Sequence, residues 1–95
     1  MKKNEMKVLK AVSEETRFGI IKLLMKNPKG VRVSELRKSL KVEATLLSHH
    51  LSVIKSAGLV VDTRIGKSVL YNMNTKSKNV EGNSIIAGSY SLKVM

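Results

Sequence analysis

Thr45, Ser48, His49, Ser52 and Lys55 lie within the run Glu43 to Leu59, mostly three or four residues apart. On a helix that spacing gathers them along one side. The set offers hydroxyls, an imidazole and an ammonium, with no carboxylate after Glu43. Such groups can hydrogen-bond the edges of bases, and their small size lets a backbone come close. Leu47, Leu51 and Ile54 fall at i, i+4 and i+7 on the other side, so the run predicts an amphipathic helix closed by Gly58. A helix with an apolar back and a small, polar, non-acidic front fits the DNA major groove, which is about 12 Å wide. The same pattern also fits an ordinary surface helix with a solvated face.

Other chemistry fares worse. Ser48 beside His49 has the residue types of a nucleophile and its base, but neighbours on a helix do not face each other. No orienting acid lies nearby in sequence. His49 and His50 point about 100° apart on a helix, so they cannot chelate one metal as an i, i+4 pair does. His50 borders the leucine stripe and reads as a packing residue, which leaves His49 as the better DNA contact. Gly66-Lys67-Ser68 resembles the end of a phosphate-binding loop but lacks the earlier glycine. Without cysteine there is no disulfide, thiolate metal site or cysteine nucleophile. No catalytic residue, metal site or cofactor is expected.

The chain as a whole narrows the partner. Its 95 residues suit one domain with a modest core, a size at which oligomerisation often adds stability. Eighteen basic and seven acidic residues give a formal charge of +11. That excess favours a polyanion, nucleic acid before an anionic membrane surface. The basic start MKKNEMKVLK is not followed by the apolar stretch of a signal peptide. No run approaches the roughly 18 apolar residues of a membrane span. The expected setting is the cytoplasm, on the nucleoid, with no membrane partner.

Elements to position the front can be read in order. Met6, Leu9 and Val12 predict a short helix over residues 5–12. Ser13 has the residue type of an N-cap for a second helix, with Glu14 and Glu15 in its first turn. Ile20, Ile21, Leu24 and Met25 carry that helix to Lys26, and Gly19 within it marks a close approach. Asn27-Pro28-Lys29-Gly30 ends it. Val31-Arg32-Val33 is a minimal strand, and Ser34 caps a third helix to Leu40. Lys41-Val42-Glu43 joins it tightly to the polar-fronted helix, a helix-turn-helix. Leu59–Ile65 and Ser68–Met73 read as strands about Gly66-Lys67, a hairpin wing in which Leu59, Val61 and Ile65 should share a face with Leu70 or Tyr71. Residues 74–79 are polar and linker-like. Ile86, Tyr90, Leu92 and Val94 at even spacing, with Gly82 and Gly88, predict an edge strand rather than a helix. The expected division is 1–75 as the folded domain and 76–95 as an extension serving dimerisation or partly disordered.

This order resembles the ArsR-type winged-helix regulators. The shared residues are Ser13–Arg17, Ile20–Leu24, Val33–Leu36, then Leu47-Ser48-His49-His50-Leu51-Ser52-Val53-Ile54-Lys55-Ser56-Ala57-Gly58-Leu59-Val60, and finally Arg64, Gly66-Lys67 and Val69–Tyr71. The resemblance covers residues 8–74. It implies an α+β, mainly α, winged helix-turn-helix fold with a two-stranded wing. It also implies a homodimer that binds double-stranded DNA at an imperfect palindrome and represses transcription. Matched position by position, Thr45, Ser48 and His49 face the groove, Arg64 and Lys67 are the basic wing positions, and Ser34 begins a helix that meets a phosphate. With Ser52 and Lys55 from the helix front, these make the expected DNA contacts.

Departures qualify the expectation. Glu43-Ala44 stands where relatives carry Ser-Gln, which removes one amide for reading adenine. Arg32–Leu36 carries no cysteine and the tail no histidine, so sensing a metal through thiolates is not expected. The tail does not resemble the helix that completes the family's dimer. Two other uses stay open: a non-specific architectural DNA binder, and a winged helix that meets a protein partner.

Overall fold

Two local decisions shape the chain. Pro28 cannot continue the second helix, and Gly30 then turns the backbone with φ +97°. A Cβ at Gly30 would lie 2.8 Å from Asn72 Oδ1 and from Leu70 Cγ, so the turn packs directly on the wing. Gly30→Ala is therefore expected to cost about 2 kcal/mol, from a left-handed φ together with overpacking. Urea unfolding checks this: the midpoint should fall at unchanged slope, and an unmoved midpoint would mean the contact yields freely.

The structure is a computed structural model describing residues 2–95. Helices α1 (Lys3–Val12) and α2 (Glu15–Lys26) lead to β1 (Val31–Arg32), α3 (Val33–Leu40) and α4 (Ala44–Ser56). The hairpin β2 (Val60–Ile65) and β3 (Ser68–Met73) follows, then β4 (Val80–Glu81), β5 (Ser84–Ala87) and β6 (Tyr90–Lys93). β1 pairs antiparallel with β3, giving a sheet of order β1-β3-β2. This is the winged helix-turn-helix expected from the sequence.

One apolar cluster joins Val8 of α1, Ile20, Ile21 and Leu24 of α2, Leu36 of α3, Leu47, Leu51 and Ile54 of α4, and Ile85 of β5. Gly19 is tightly packed as its position predicted, since a Cβ there would come within 3.2 Å of the Leu40 side chain.

Several expectations need correction. Ser13 does not cap α2; it ends α1, and its hydroxyl donates to the Lys10 carbonyl. Glu14 is the cap, accepting the Arg17 N–H at 2.9 Å, because its longer carboxylate reaches the third amide. Ser34 likewise is not the cap of α3. That helix starts one residue earlier, and Glu35 reaches back to accept the Arg32 N–H at 3.0 Å. Val61 and Ile65 do not join an apolar face: they are exposed, while Leu59, Val60 and Tyr71 are buried. Residues 74–79 are a hydrogen-bonded turn rather than a linker: Asn74 donates to the carbonyls of Leu59 and Gly58, and Asn79 is buried. Residues 84–95 are not one strand, for Gly88-Ser89 folds them back on themselves. With β4 they form a three-stranded meander, β4-β5-β6. Its Ile85 and Ala87 are buried, with β5 packed on α1.

Candidate nucleic-acid interface

α4 takes its orientation from its buried side. Leu47 and Ile54 are fully buried and Leu51 nearly so, which turns Thr45, Ser48, His49 and Ser52 outward. Glu43 starts the helix, its carboxylate accepting the Thr45 N–H at 3.3 Å. One acid on this side is thereby engaged in a cap. Leu46 is also exposed, at 49%, an apolar side chain outside the expected set of contacts. Its place one residue off the Leu47–Leu51–Ile54 stripe is the signal that could have found it.

Lys55 belongs to a different arrangement. Its Nζ lies 2.9 Å from Asp62 Oδ1 and 3.1 Å from Oδ2. The hydrogen bond to Asp62, with that carboxylate's charge, raises the Lys55 pKa above the ordinary lysine value. The pair links the end of α4 to the first wing strand and cancels the wing's one acid. Tyr71 is next to it: burial and then Asp62 push its phenol pKa up, against the opposing effect of Lys55.

His50 faces inward, 6% exposed. Its Nδ1 is 3.1 Å from Arg17 Nη1, and because a guanidinium only donates, Nδ1 is the acceptor. Arg17 also donates through Nε to the Ala11 carbonyl at 2.7 Å and through Nη2 to the Lys10 carbonyl at 3.2 Å. It therefore closes the open end of α1 and fastens it to α4. Burial pushes the Glu14 carboxyl up, but the Arg17 backbone N–H and the Arg17 charge outweigh burial and hold it below the usual range. Arg17 and His50 thus serve the scaffold, while His49 stays on the surface, bordering a shallow groove with Lys7, Lys10 and Ser52.

Ser34 is exposed in the first turn of α3. It lines a shallow basin with Arg37, Lys38, Lys41, Val42 and Glu43 at the α3–α4 turn. Lys41 ends α3 in the left-handed conformation, φ 53°, which is uncommon without glycine. Arg64 and Lys67 are exposed on the wing, Lys67 in the two-residue turn between the paired Ile65 and Ser68. Of the sequence candidates, Thr45, Ser48, His49 and Ser52 share one helix front. Ser34 belongs to the basin and Arg64 and Lys67 to the wing. Among the described residues no group of three or more His, Cys, Asp or Glu could hold a metal ion, and no helix is long and apolar enough to cross a membrane.

Comparison with known proteins gives a consistent set. The profile of the family described as "Bacterial regulatory protein, arsR family" matches residues 14–61. The transcriptional repressor SdpR of Bacillus subtilis is 31% identical over 68 residues, spanning 72% of this chain and 73% of SdpR. The regulator NmtR of Mycobacterium tuberculosis is 32% identical over 65 residues, 68% of this chain but 52% of NmtR. Among solved structures, HlyU from Vibrio cholerae has a TM-score of 0.70 at 32% identity, covering 80% of this chain and 84% of HlyU. The homodimeric winged helix-turn-helix DNA-binding domain of Mb0332 from Mycobacterium bovis has a TM-score of 0.71 at 26% identity, over 77% of this chain and 66% of that one.

Proposed function

The chain belongs to the ArsR family of bacterial regulatory proteins, and from that premise we propose that it is a homodimeric repressor reading a palindromic operator in double-stranded DNA. The observation that carries this reading is the α4 front, a strip of exposed hydroxyls and imidazole whose neighbouring acids are already engaged. Thr45, Ser48, His49 and Ser52 meet base edges and adjacent phosphates. Leu46 adds an apolar surface for a thymine methyl. Ser34 and the cations of the basin, Arg37, Lys38 and Lys41, hold one phosphate strand. Arg64 and Lys67 hold the backbone beyond the groove. Lys55 acts through Asp62, fixing the wing relative to the helix, rather than as a free phosphate contact. Repression is supported by the likeness to the transcriptional repressor SdpR, and the dimer by the likeness to the homodimeric domain of Mb0332.

The test compares the chain's own promoter with random duplex across a salt series. Tighter promoter binding that persists at physiological salt, at two chains per site, is the expected result. Equal affinities that fall steeply together would overturn the repressor reading in favour of an architectural binder, a role compatible with the +11 charge. Replacing Arg64 and Lys67 together by alanine should weaken binding on every sequence alike, by about tenfold, and flatten the salt slope by about two. A loss confined to the operator would remove these residues from the backbone-contact role.

A further inference from the structure

The meander covers α1 incompletely. Residues paired directly across β5 and β6 lie on the same sheet face, and the pairs are Ile85 with Leu92 and Ala87 with Tyr90. Ile85 and Ala87 are buried, but Tyr90 is 58% exposed and Leu92 40%. The apolar face therefore continues past α1, and among the described residues nothing covers its outer half. Leu9, Val12, Ile85, Tyr90 and Leu92 line a groove there with two serines, and none of the lining residues is charged. In a chain of net +11, this surface lets two copies approach without opposed lysines.

The strand edge beside the groove is also open. β6 is an outer strand of its sheet, and all four of its residues are exposed. Val94 N–H donates to the Asn83 carbonyl at 2.7 Å, which fixes the alternation of the ladder. Counting back in steps of two, Leu92 and Tyr90 turn their backbone groups toward β5. Ser91 and Lys93 turn theirs outward, as an edge that invites another strand.

We infer that the occupant is a second copy of this chain, whose β6 pairs antiparallel with β6 about a two-fold axis at Leu92. The inference rests on the dimeric reading above and says which surface makes the dimer. In that register Ser91 of one copy exchanges hydrogen bonds with Lys93 of the other, twice over, and the two Leu92 side chains meet at the axis. Lys93 lies opposite serine rather than its own copy. The two meanders become one six-stranded sheet, and Tyr90 and Leu92 of each copy cover the groove beside α1. Since α1 touches α4 on one side and β5 on the other, the two α4 helices flank the new sheet.

Sedimentation equilibrium of the full chain at micromolar concentration tests this, with hydrogen exchange read at the Ser91 and Lys93 amides. The wild type should be a dimer with both amides protected. Leu92→Glu sets two carboxylates at the axis and should raise the dimer dissociation constant at least about 100-fold. Ser91→Pro deletes an amide that β5 does not use and should raise it about tenfold. Circular dichroism of both variants should match the wild type. A wild-type dimer that neither change weakens would overturn this interface and leave the dimeric reading intact. A wild-type monomer would overturn both and leave the open edge to a different chain.

Discussion

Ser52→Glu should abolish operator binding, with a loss of at least about 100-fold, because opposed like charges at an interface cost several kcal/mol. Ser52 is exposed on the α4 front and engages none of the side-chain hydrogen bonds described above, so the change leaves the scaffold untouched. The new carboxylate would stand among hydroxyls facing phosphates and base acceptors, and Lys7 and Lys10 across the shallow groove on α1 would answer only part of that repulsion. Lys55 is nearest in sequence but is held by Asp62. Ser52→Ala, by contrast, removes one hydroxyl and should change sequence preference more than affinity. Fluorescence anisotropy with operator and random duplex, and circular dichroism as a fold control, reads both. If Ser52→Glu binds operator like the wild type, α4 does not lie in the groove.

Leu47→Ala should cost about 3 kcal/mol of stability, within the range for fully buried leucines cut to alanine. Leu47 is fully buried in the core shared by all four helices. A domain of this size has about 5–15 kcal/mol in total, so the loss is a large share. Denaturant unfolding with and without operator DNA separates the consequences. The midpoint should fall sharply without DNA, and operator should restore part of it, because ligand binds only the folded chain. A midpoint within a few tenths of a molar of the wild type would mean that α4 is seated by something other than this stripe.

The helix-turn-helix and the wing were legible in sequence because their signals are local. The Leu47–Leu51–Ile54 stripe, the Asn27–Gly30 breaker and the Gly66-Lys67 turn each act within a few residues. Both capping serines were misread for one reason: glutamate, with its longer reach, caps from a neighbouring position at Glu14 and Glu35. The Arg17–His50 clasp joins residues 33 apart and leaves no periodic trace. Nor does the Lys55–Asp62 pair, which gives an expected DNA contact an ion-pair partner on the wing. The meander could have been found. Gly82-Asn83 and Gly88-Ser89 are two-residue hairpin turns with glycine first and φ positive, at 57° and 62°. Even spacing of apolar residues drew attention to one strand and hid the fold-back.

The seating of β5 on α1 also orders events in time. Those two elements come from near opposite ends of the sequence, so their meeting closes a loop that contains every other element but β6. Loop closure costs entropy that grows with the logarithm of length, about 0.6 kcal/mol for each doubling, and contacts between distant residues form late. The α3–α4 turn and the β2–β3 hairpin are short-range and can assemble first. During synthesis the helix-turn-helix and the hairpin are therefore built before the open strand edge exists, and a nascent chain acquires its DNA-binding elements ahead of the edge inferred above to pair with a second copy.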